Sequence, residues 1–288
     1  MIVTAPAKIN LTLRILGKRP DGYHALESVM QLLSLADTLK ITDAETLTFT
    51  CSDPSLANDD NLVLRAARLL QERNQIPRGA HIHLEKRIPA QAGLGGGSSD
   101  AATTLAALNE FWELRLPTDE LDAYAAQLGS DVPFFLHGPS ALVRGRGEEV
   151  TPVIHQTAAH VVVIKPSAGL STPQVYANLH APTLAPDTLP RQERPETHAM
   201  LHALASGNLD AVARALVNDL EGPALVLLPE LFRLRERMLQ LGCHAVLLCG
   251  SGSALFGLCH DADTARHAAV DLRNDVLWTW SGPWLLFR

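Results

Sequence analysis

Apolar and polar residues alternate from Lys8 to Ile15, with Ile9, Leu11, Leu13 and Ile15 on one face and Lys8, Asn10, Thr12 and Arg14 on the other. A period of two predicts a half-buried strand. It runs into Gly17-Lys18-Arg19-Pro20-Asp21-Gly22, a string of turn residues, and shorter strand-like runs follow at 29–35, 38–42 and 47–51. Asn58-Asp59-Asp60-Asn61 offers cap chemistry for a helix reaching Arg73, in which Leu62, Ala66, Leu69 and Leu70 share a face. A strand at 80–86 comes next. Good helix formers then predict helices from Asp100 to Trp112 and from Asp119 to Leu128, the second stopped by Gly129.

Strands are expected at 140–144 and 160–165, after which Pro182, Pro186, Pro190 and Pro195 punctuate a loop. Helical patterns follow at 197–205, 209–220 and 229–241, then strands 245–249 and 254–259 around a Gly-Ser turn, and a helix at 261–273. Strands and helices mix without regular β-α-β alternation, so the class is α+β. A chain of 288 residues lies near the two-domain prior of roughly 150 residues each. The boundary is expected between about 155 and 195, giving domains 1–155 and 156–288.

Charge narrows the function. Asp and Glu outnumber Lys and Arg, 31 to 24, for a net charge of -7, which disfavours a nucleic-acid partner. No apolar run approaches the ~18 residues of a membrane span, and the N-terminus shows no basic region leading into an apolar segment, so a cytoplasmic protein is expected, with a processed plastid protein as the alternative. Cys51, Cys243, Cys249 and Cys259 form no Cys-x-x-Cys pair and are expected to be buried free thiols. The 12 histidines form no His-x-x-x-His cluster and are expected to be scattered.

The candidate chemistry lies in Pro89-Ala90-Gln91-Ala92-Gly93-Leu94-Gly95-Gly96-Gly97-Ser98-Ser99, a glycine-rich loop leading into a helix. Backbone amides and the helix dipole at such a junction favour an anion, phosphate above all, and missing Cβ atoms let the amides approach it. A flexible turn with a capped helix is the bland alternative. A Walker loop needs Lys after its last Gly, where this chain has Ser98, and a dinucleotide fingerprint would need Gly there too.

The whole string, continued by Asp100-Ala101-Ala102, resembles the nucleotide-binding motif of the GHMP small-molecule kinases. Ala5-Pro6-Ala7-Lys8-Ile9-Asn10-Leu11 and Leu248-Cys249-Gly250-Ser251-Gly252-Ser253-Ala254 resemble that family's first and third motifs, in the same order and spacing. The resemblance implies a two-domain fold, an N-terminal domain like the second domain of ribosomal protein S5 and a C-terminal α/β domain, with the active site in the cleft between them. It also implies ATP as phosphoryl donor, with Mg2+ expected.

Asp21-Gly22-Tyr23-His24 and Gly129-Ser130-Asp131-Val132-Pro133-Phe134 further resemble the branch whose alcohol substrate carries a cytidine diphosphate group. Homoserine and mevalonate kinases, the rivals within the family, have no use for an aromatic base clamp. An RNA-binding module, the rival outside it, fits neither the charge nor the complete loop.

By matching positions, the resemblance gives Lys8 and Asp131 catalytic roles and assigns ATP to the loop residues 89–99 with Asn61 and Lys86. It assigns substrate to Asn10, Tyr23, His24, Asp131, Thr172 and Tyr176. By residue type alone, Lys8 on a polar strand face is a solvated residue, Asp131 a turn or cap, Asn61 and Lys86 capping or solvated groups, and Tyr23 a hydrophobic plug. For Mg2+ the motifs offer Ser99, Asp100 and Asp131 as oxygen donors and do not choose among them.

Overall fold

A computed structural model describes residues 1–184 and 194–287, so Pro186 and Pro190 of the expected loop lie outside the described residues. In chain order the elements are β1 (Ile2–Lys18), β2 (His24–Thr42), β3 (Leu47–Cys51), α1 (Leu62–Arg73), β4 (Ala80–Glu85), α2 (Gly96–Phe111), α3 (Thr118–Leu128), β5 (Ser140–Arg144), β6 (Glu149–Pro152) and β7 (His160–Lys165). They continue with α4 (Thr172–Asn178), α5 (Pro195–Ala205), α6 (Leu209–Ala215), β8 (Val217–Asn218), α7 (Glu221–Leu227), α8 (Glu230–Gln240), β9 (Ala245–Leu248), β10 (Leu255–Cys259), α9 (Ala262–Asp271) and β11 (Trp278–Pro283). No helix among the described residues is long and apolar enough to cross a membrane.

Contacts divide the chain into two compact units, each drawn from separated stretches. The first comprises Met1–Ala7, Leu35–Ala90 and Gly95–Gly138. In it β4 pairs antiparallel with the last residues of β2, Ile41 opposite Ile82, and parallel with β3, Phe49 opposite Ile82. The helices α1, α2 and α3 pack on one another and enclose a core that includes Leu39, Ile41, Ala67, Leu70, Ile82, Leu84, Leu105 and Leu108. Small residues on α2, Ala101, Ala102 and Ala107, admit its neighbours closely.

The second unit comprises Lys8–Ser34, Gln91–Leu94 and Pro139–Arg288. Its antiparallel sheet runs β11-β7-β10-β9, with Phe256 opposite both Val163 and Leu247. The run Val161–Ile164 is fully buried, and helices cover the sheet: α9 packs on β7, β10 and β11, and α8 on β9 and β10. Elsewhere in this unit β5 pairs with the first half of β2, β6 folds back on β5, and β8 adds parallel to β1 at Thr12 and Leu13.

Several sequence expectations are corrected. The strand at 9–15 is not half-buried: Lys8, Asn10 and Thr12 are as buried as the apolar face, because hydrogen bonds described below satisfy them. The runs 29–35 and 38–42 form the single strand β2, since Ala36 and Asp37 between them are accommodated in the ladder rather than in a turn. The helix expected at 209–220 ends at Ala215, where Leu216 turns extended and Val217 and Asn218 pair with β1. The helix at the glycine loop starts at Gly96, four residues earlier than Asp100. Cys51 is half-buried rather than buried, while the other three thiols are buried and all four are free. The elements β6, α4, α7 and β11 lack a periodicity long enough to stand out in the sequence.

Candidate functional site

Three separated sequence motifs converge in the second unit. Lys8 lies on β1 at 4% exposure, its Nζ donating to Asn10 Oδ1 at 2.7 Å, and Asn10 Nδ2 donates to Ser28 Oγ at 2.8 Å. Ser28 Oγ passes the chain on to the Thr12 carbonyl at 2.5 Å, and Thr12 Oγ1 accepts from the Val29 amide at 2.9 Å. A buried ammonium is thus held by a relay of polar groups on β1 and β2, the arrangement a cation needs when water is removed. The Lys8 amide also donates to the Leu94 carbonyl of the glycine-rich loop, 2.9 Å away.

That loop rests on the third motif. The Ala254 amide donates to the Ala92 carbonyl at 3.3 Å, and Gly93, at φ +76°, lies so close that a Cβ there would fall on the Cys249 carbonyl oxygen. Gly250 faces Lys8, where a Cβ would stand 3.5 Å from Nζ. The second glycine loop is fixed from outside by Asn218 of β8, whose Nδ2 donates to the carbonyls of Leu248 at 3.0 Å and Gly250 at 2.7 Å. Thr172 and Ser251 share a hydroxyl hydrogen bond of 2.7 Å, which attaches the start of α4 to the same loop.

In the first unit, Gly95 adopts the left-handed conformation at φ 70° and launches α2 with no side chain capping its amides. Four N-terminal amides of a helix have no intrahelical acceptor, so this end can receive an anion. Lys86 adds charge: a Cβ on Gly96 would lie 3.3 Å from its Nζ. Asn61 caps α1, its side chain accepting from the Val63 amide and donating to the Leu56 carbonyl, each at 2.9 Å.

Lys86 Nζ also bridges two buried carboxylates, Asp37 Oδ2 at 2.5 Å and Asp100 Oδ2 at 2.8 Å. Burial alone would lower the Lys86 value, but Asp100 and Asp37 together raise it, so the cation is retained. Asp37 Oδ1 accepts from the amides of Arg87 and Ile88, whereas Asp100 Oδ1 and the neighbouring Ser99 Oγ are buried without a hydrogen-bond partner. Burial therefore pushes the Asp100 carboxyl up from its ordinary 3.8 to about 7, against the pull of Lys86. Asp100 lies beyond the first turn of α2 and is an ion-pair partner, not a cap.

This sets a pH dependence. A carboxyl whose folded value is raised holds its proton in the native state after the unfolded chain has released it. Its contribution is complete below 3.8 and lost as the pH rises through about 7. Urea unfolding is expected to show stability declining from pH 5 to pH 8, at up to about 1.4 kcal/mol per pH unit. Asp100→Asn, an amide in place of the protonated acid, flattens that slope. An unchanged slope in the variant assigns the proton to another group.

A family model described as the N-terminal domain of GHMP kinases matches residues 61–139, and one described as GHMP kinases C terminal matches residues 200–276. The chain is 42% identical over 261 residues to the 4-diphosphocytidyl-2-C-methyl-D-erythritol kinase of Brevibacillus brevis, covering 89% of this chain and 86% of that protein. This chain is a GHMP kinase. The kinase is also 40% identical to the protein of the same name from Exiguobacterium sibiricum, over 95% of this chain and 94% of the other. A crystal structure of 4-(cytidine 5'-diphospho)-2C-methyl-D-erythritol kinase superposes with a TM-score of 0.82 at 41% identity, covering 99% of each chain. Homoserine kinase from Cytophaga hutchinsonii, at 18% identity and a TM-score of 0.72, shares the fold.

A second cluster in the second unit of this GHMP kinase contains the aromatic residues singled out in the sequence. The His24 and Tyr176 rings lie 4.7 Å apart, tilted by 38°. Tyr23 is exposed, with the Arg146 guanidinium 5.1 Å from its ring centroid. Tyr176 therefore lies against His24. Burial, and then the charge of Lys18, lower the His24 value, which keeps its imidazole neutral near pH 7. Sequence reasoning missed Asp37, Asn218, Ser28 and Arg146. Asp37 is one polar residue in a long strand, Asn218 falls inside a stretch that scores as helix, and the other two act through contacts distant in the chain.

Proposed function

We propose that the chain transfers the γ-phosphoryl group of ATP to the 2-hydroxyl of 4-diphosphocytidyl-2-C-methyl-D-erythritol, giving the 2-phosphate and ADP in non-mevalonate isoprenoid precursor biosynthesis. One observation carries the reading: relatives of that name are 40–42% identical along nearly the whole chain. The convergence of Lys8 with both glycine loops supplies the chemistry to match it. The kinase acts in the cytoplasm.

Phosphoryl transfer needs positioning, neutralisation of phosphate charge and an acceptor for the hydroxyl proton. The amides of the loop 89–99 and the uncapped start of α2 hold the ATP phosphates, with Lys86 reinforcing the positive end and Asn61 shaping the adjacent turn. Lys8 stabilises charge developing on the transferred group, and Asn10 positions its ammonium. Asp131 accepts the 2-hydroxyl proton as that oxygen bonds to the γ-phosphorus and the bond to the bridging oxygen of ADP breaks.

Mg2+ supplies further neutralisation of the phosphates. Ser99 Oγ, a hard oxygen buried without a hydrogen-bond partner, would fit a role in holding it, and Asp100 Oδ1 would join it once the carboxyl has given up its proton. For the cytidine end, Tyr23 and Tyr176 offer ring faces, neutral His24 a hydrogen bond to the base edge, and Thr172 a hydroxyl.

The test follows ADP and a new phosphomonoester by 31P NMR with ATP, Mg2+ and the cytidylyl alcohol, with mevalonate and homoserine in parallel. Product from the cytidylyl substrate alone is expected, and turnover confined to another alcohol overturns the assignment. In the same assay Tyr23→Ala is expected to raise KM for the cytidylyl substrate about 5- to 100-fold, the range of base stacking, with KM for ATP nearly unchanged. Equal effects on both would remove Tyr23 from the base site.

A further inference from the structure

We propose that Asp210, His244 and His260 form a binding site for a divalent transition-metal ion of the zinc type. His244 immediately precedes β9 and His260 immediately follows β10, so both stand at the end of this hairpin opposite the glycine loop 249–254. Asp210, in the first turn of α6, reaches them from outside the sheet. Its Oδ1 lies 3.1 Å from Nε2 of each histidine, and the two rings are 4.8 Å apart at 57°. Among the described residues this is the group whose three donor atoms gather within 4.8 Å of one another.

The contacts are short, yet they are not hydrogen bonds. Asp210 Oδ1 is a buried atom without a hydrogen-bond partner, so neither imidazole N-H is aimed at it. An ordinary His-Asp pair points its N-H at the carboxylate. Here one oxygen stands between two ring nitrogens instead, all three donors within 4.8 Å of one another. Bonds of about 2.0–2.1 Å to a tetrahedral ion would set donors about 3.3 Å apart, close to the spacing from Asp210 to each ring. Two imidazoles and a carboxylate are borderline donors suited to zinc and its neighbours, with a fourth position left for water. Mg2+ and Ca2+ prefer oxygen alone, which separates this site from the ion that accompanies ATP.

The backbone explains why sequence spacing hid the pair. The β9–β10 register sets Ala245 opposite Leu258, and its continuation would bring His244 opposite Cys259. The strand ends depart from that ladder: Cys243 and Cys259 meet inside, Sγ to Sγ 3.8 Å, and the two imidazoles meet outside. Both rings and the aspartate are partly exposed, so an ion enters directly from solvent. Bound there, it ties α6 to the end of the hairpin.

Chelator-treated full-length protein titrated with Co2+ is expected to take up one equivalent with a visible absorption band and no near-ultraviolet thiolate band, and Zn2+ should displace it. His244→Gln with His260→Gln abolishes the band, and Asp210→Asn weakens uptake at least tenfold. His81→Gln with His83→Gln, which alters a separate half-buried pair on β4, leaves it intact. Zn2+ is expected to raise the melting temperature of the parent but not of the His244/His260 variant, whose unchanged metal-free circular dichroism and kinase activity show that it is folded. No uptake by the parent, a band that survives the His244/His260 substitutions, or a thiolate band would each overturn the proposal.

Discussion

Asp131→Asn lowers kcat about 10²- to 10⁴-fold while ATP affinity stays within about twofold of the parent, the signature of losing a proton acceptor rather than a binding group. The substitution preserves shape and removes basicity. Asp131 lies in a tightly held segment: α3 stops at Gly129, and Val132 and Phe134, on either side of Pro133, are fully buried. The backbone that presents the carboxylate is therefore held in place through an isosteric change. Steady-state kinetics with the cytidylyl alcohol, together with titration of a fluorescent ATP analogue, separate the two effects. A kcat within threefold of the parent would take Asp131 out of the mechanism.

Gly93→Ala is expected to be the most damaging single methyl group in the protein. At φ +76° any side chain is strained, and the added carbon would occupy the position of the Cys249 carbonyl oxygen. That carbonyl cannot easily retreat: Cys249 N donates to the Ala254 carbonyl at 2.9 Å, its own carbonyl accepts from the Gly252 amide at 2.8 Å, and Asn218 grips the residues on both sides. Strain and displacement together are expected to cost about 2–4 kcal/mol, lowering the melting temperature by roughly 4–16 °C. KM for ATP should rise with it, because the loop and its support move as one. Gly169→Ala is the control, since a Cβ there meets nothing within 4 Å. Equal melting temperatures for the two variants would show that the loops do not rest on each other.

What the sequence made legible followed from local rules. The three glycine and lysine motifs could be read because backbone approach to an anion demands glycine at fixed spacing, and α1 could be read because Asn61 caps a clear apolar stripe. Long-range pairing had no such signal. Alternation located the strand at Lys8 but not the burial of its polar face, which depends on Ser28 from β2. Val217 and Asn218 continue a helical pattern until β1 captures them as a strand, a tertiary override of local preference. Lys86 was legible as a motif position, yet its partners Asp37 and Asp100 are joined to it only by the fold. His244 and His260 likewise carry no helical spacing, because the end of a hairpin brings them together.

The segment Lys8–Ser34, carried by β1 and β2, belongs to the unit whose remaining body begins at Pro139. During synthesis the first unit has its full complement of residues once Gly138 has left the ribosome. Lys8 and its relay, by contrast, emerge early and must wait for β5, β8 and the loop at Cys249 to be translated before these later neighbours can pack against them. Such non-local closure is slow compared with local helix formation, and it leaves strand edges open in the interval. Lys8 is thus among the first residues made and among the last to reach its final surroundings, which makes nascent-chain handling part of how this kinase completes its fold.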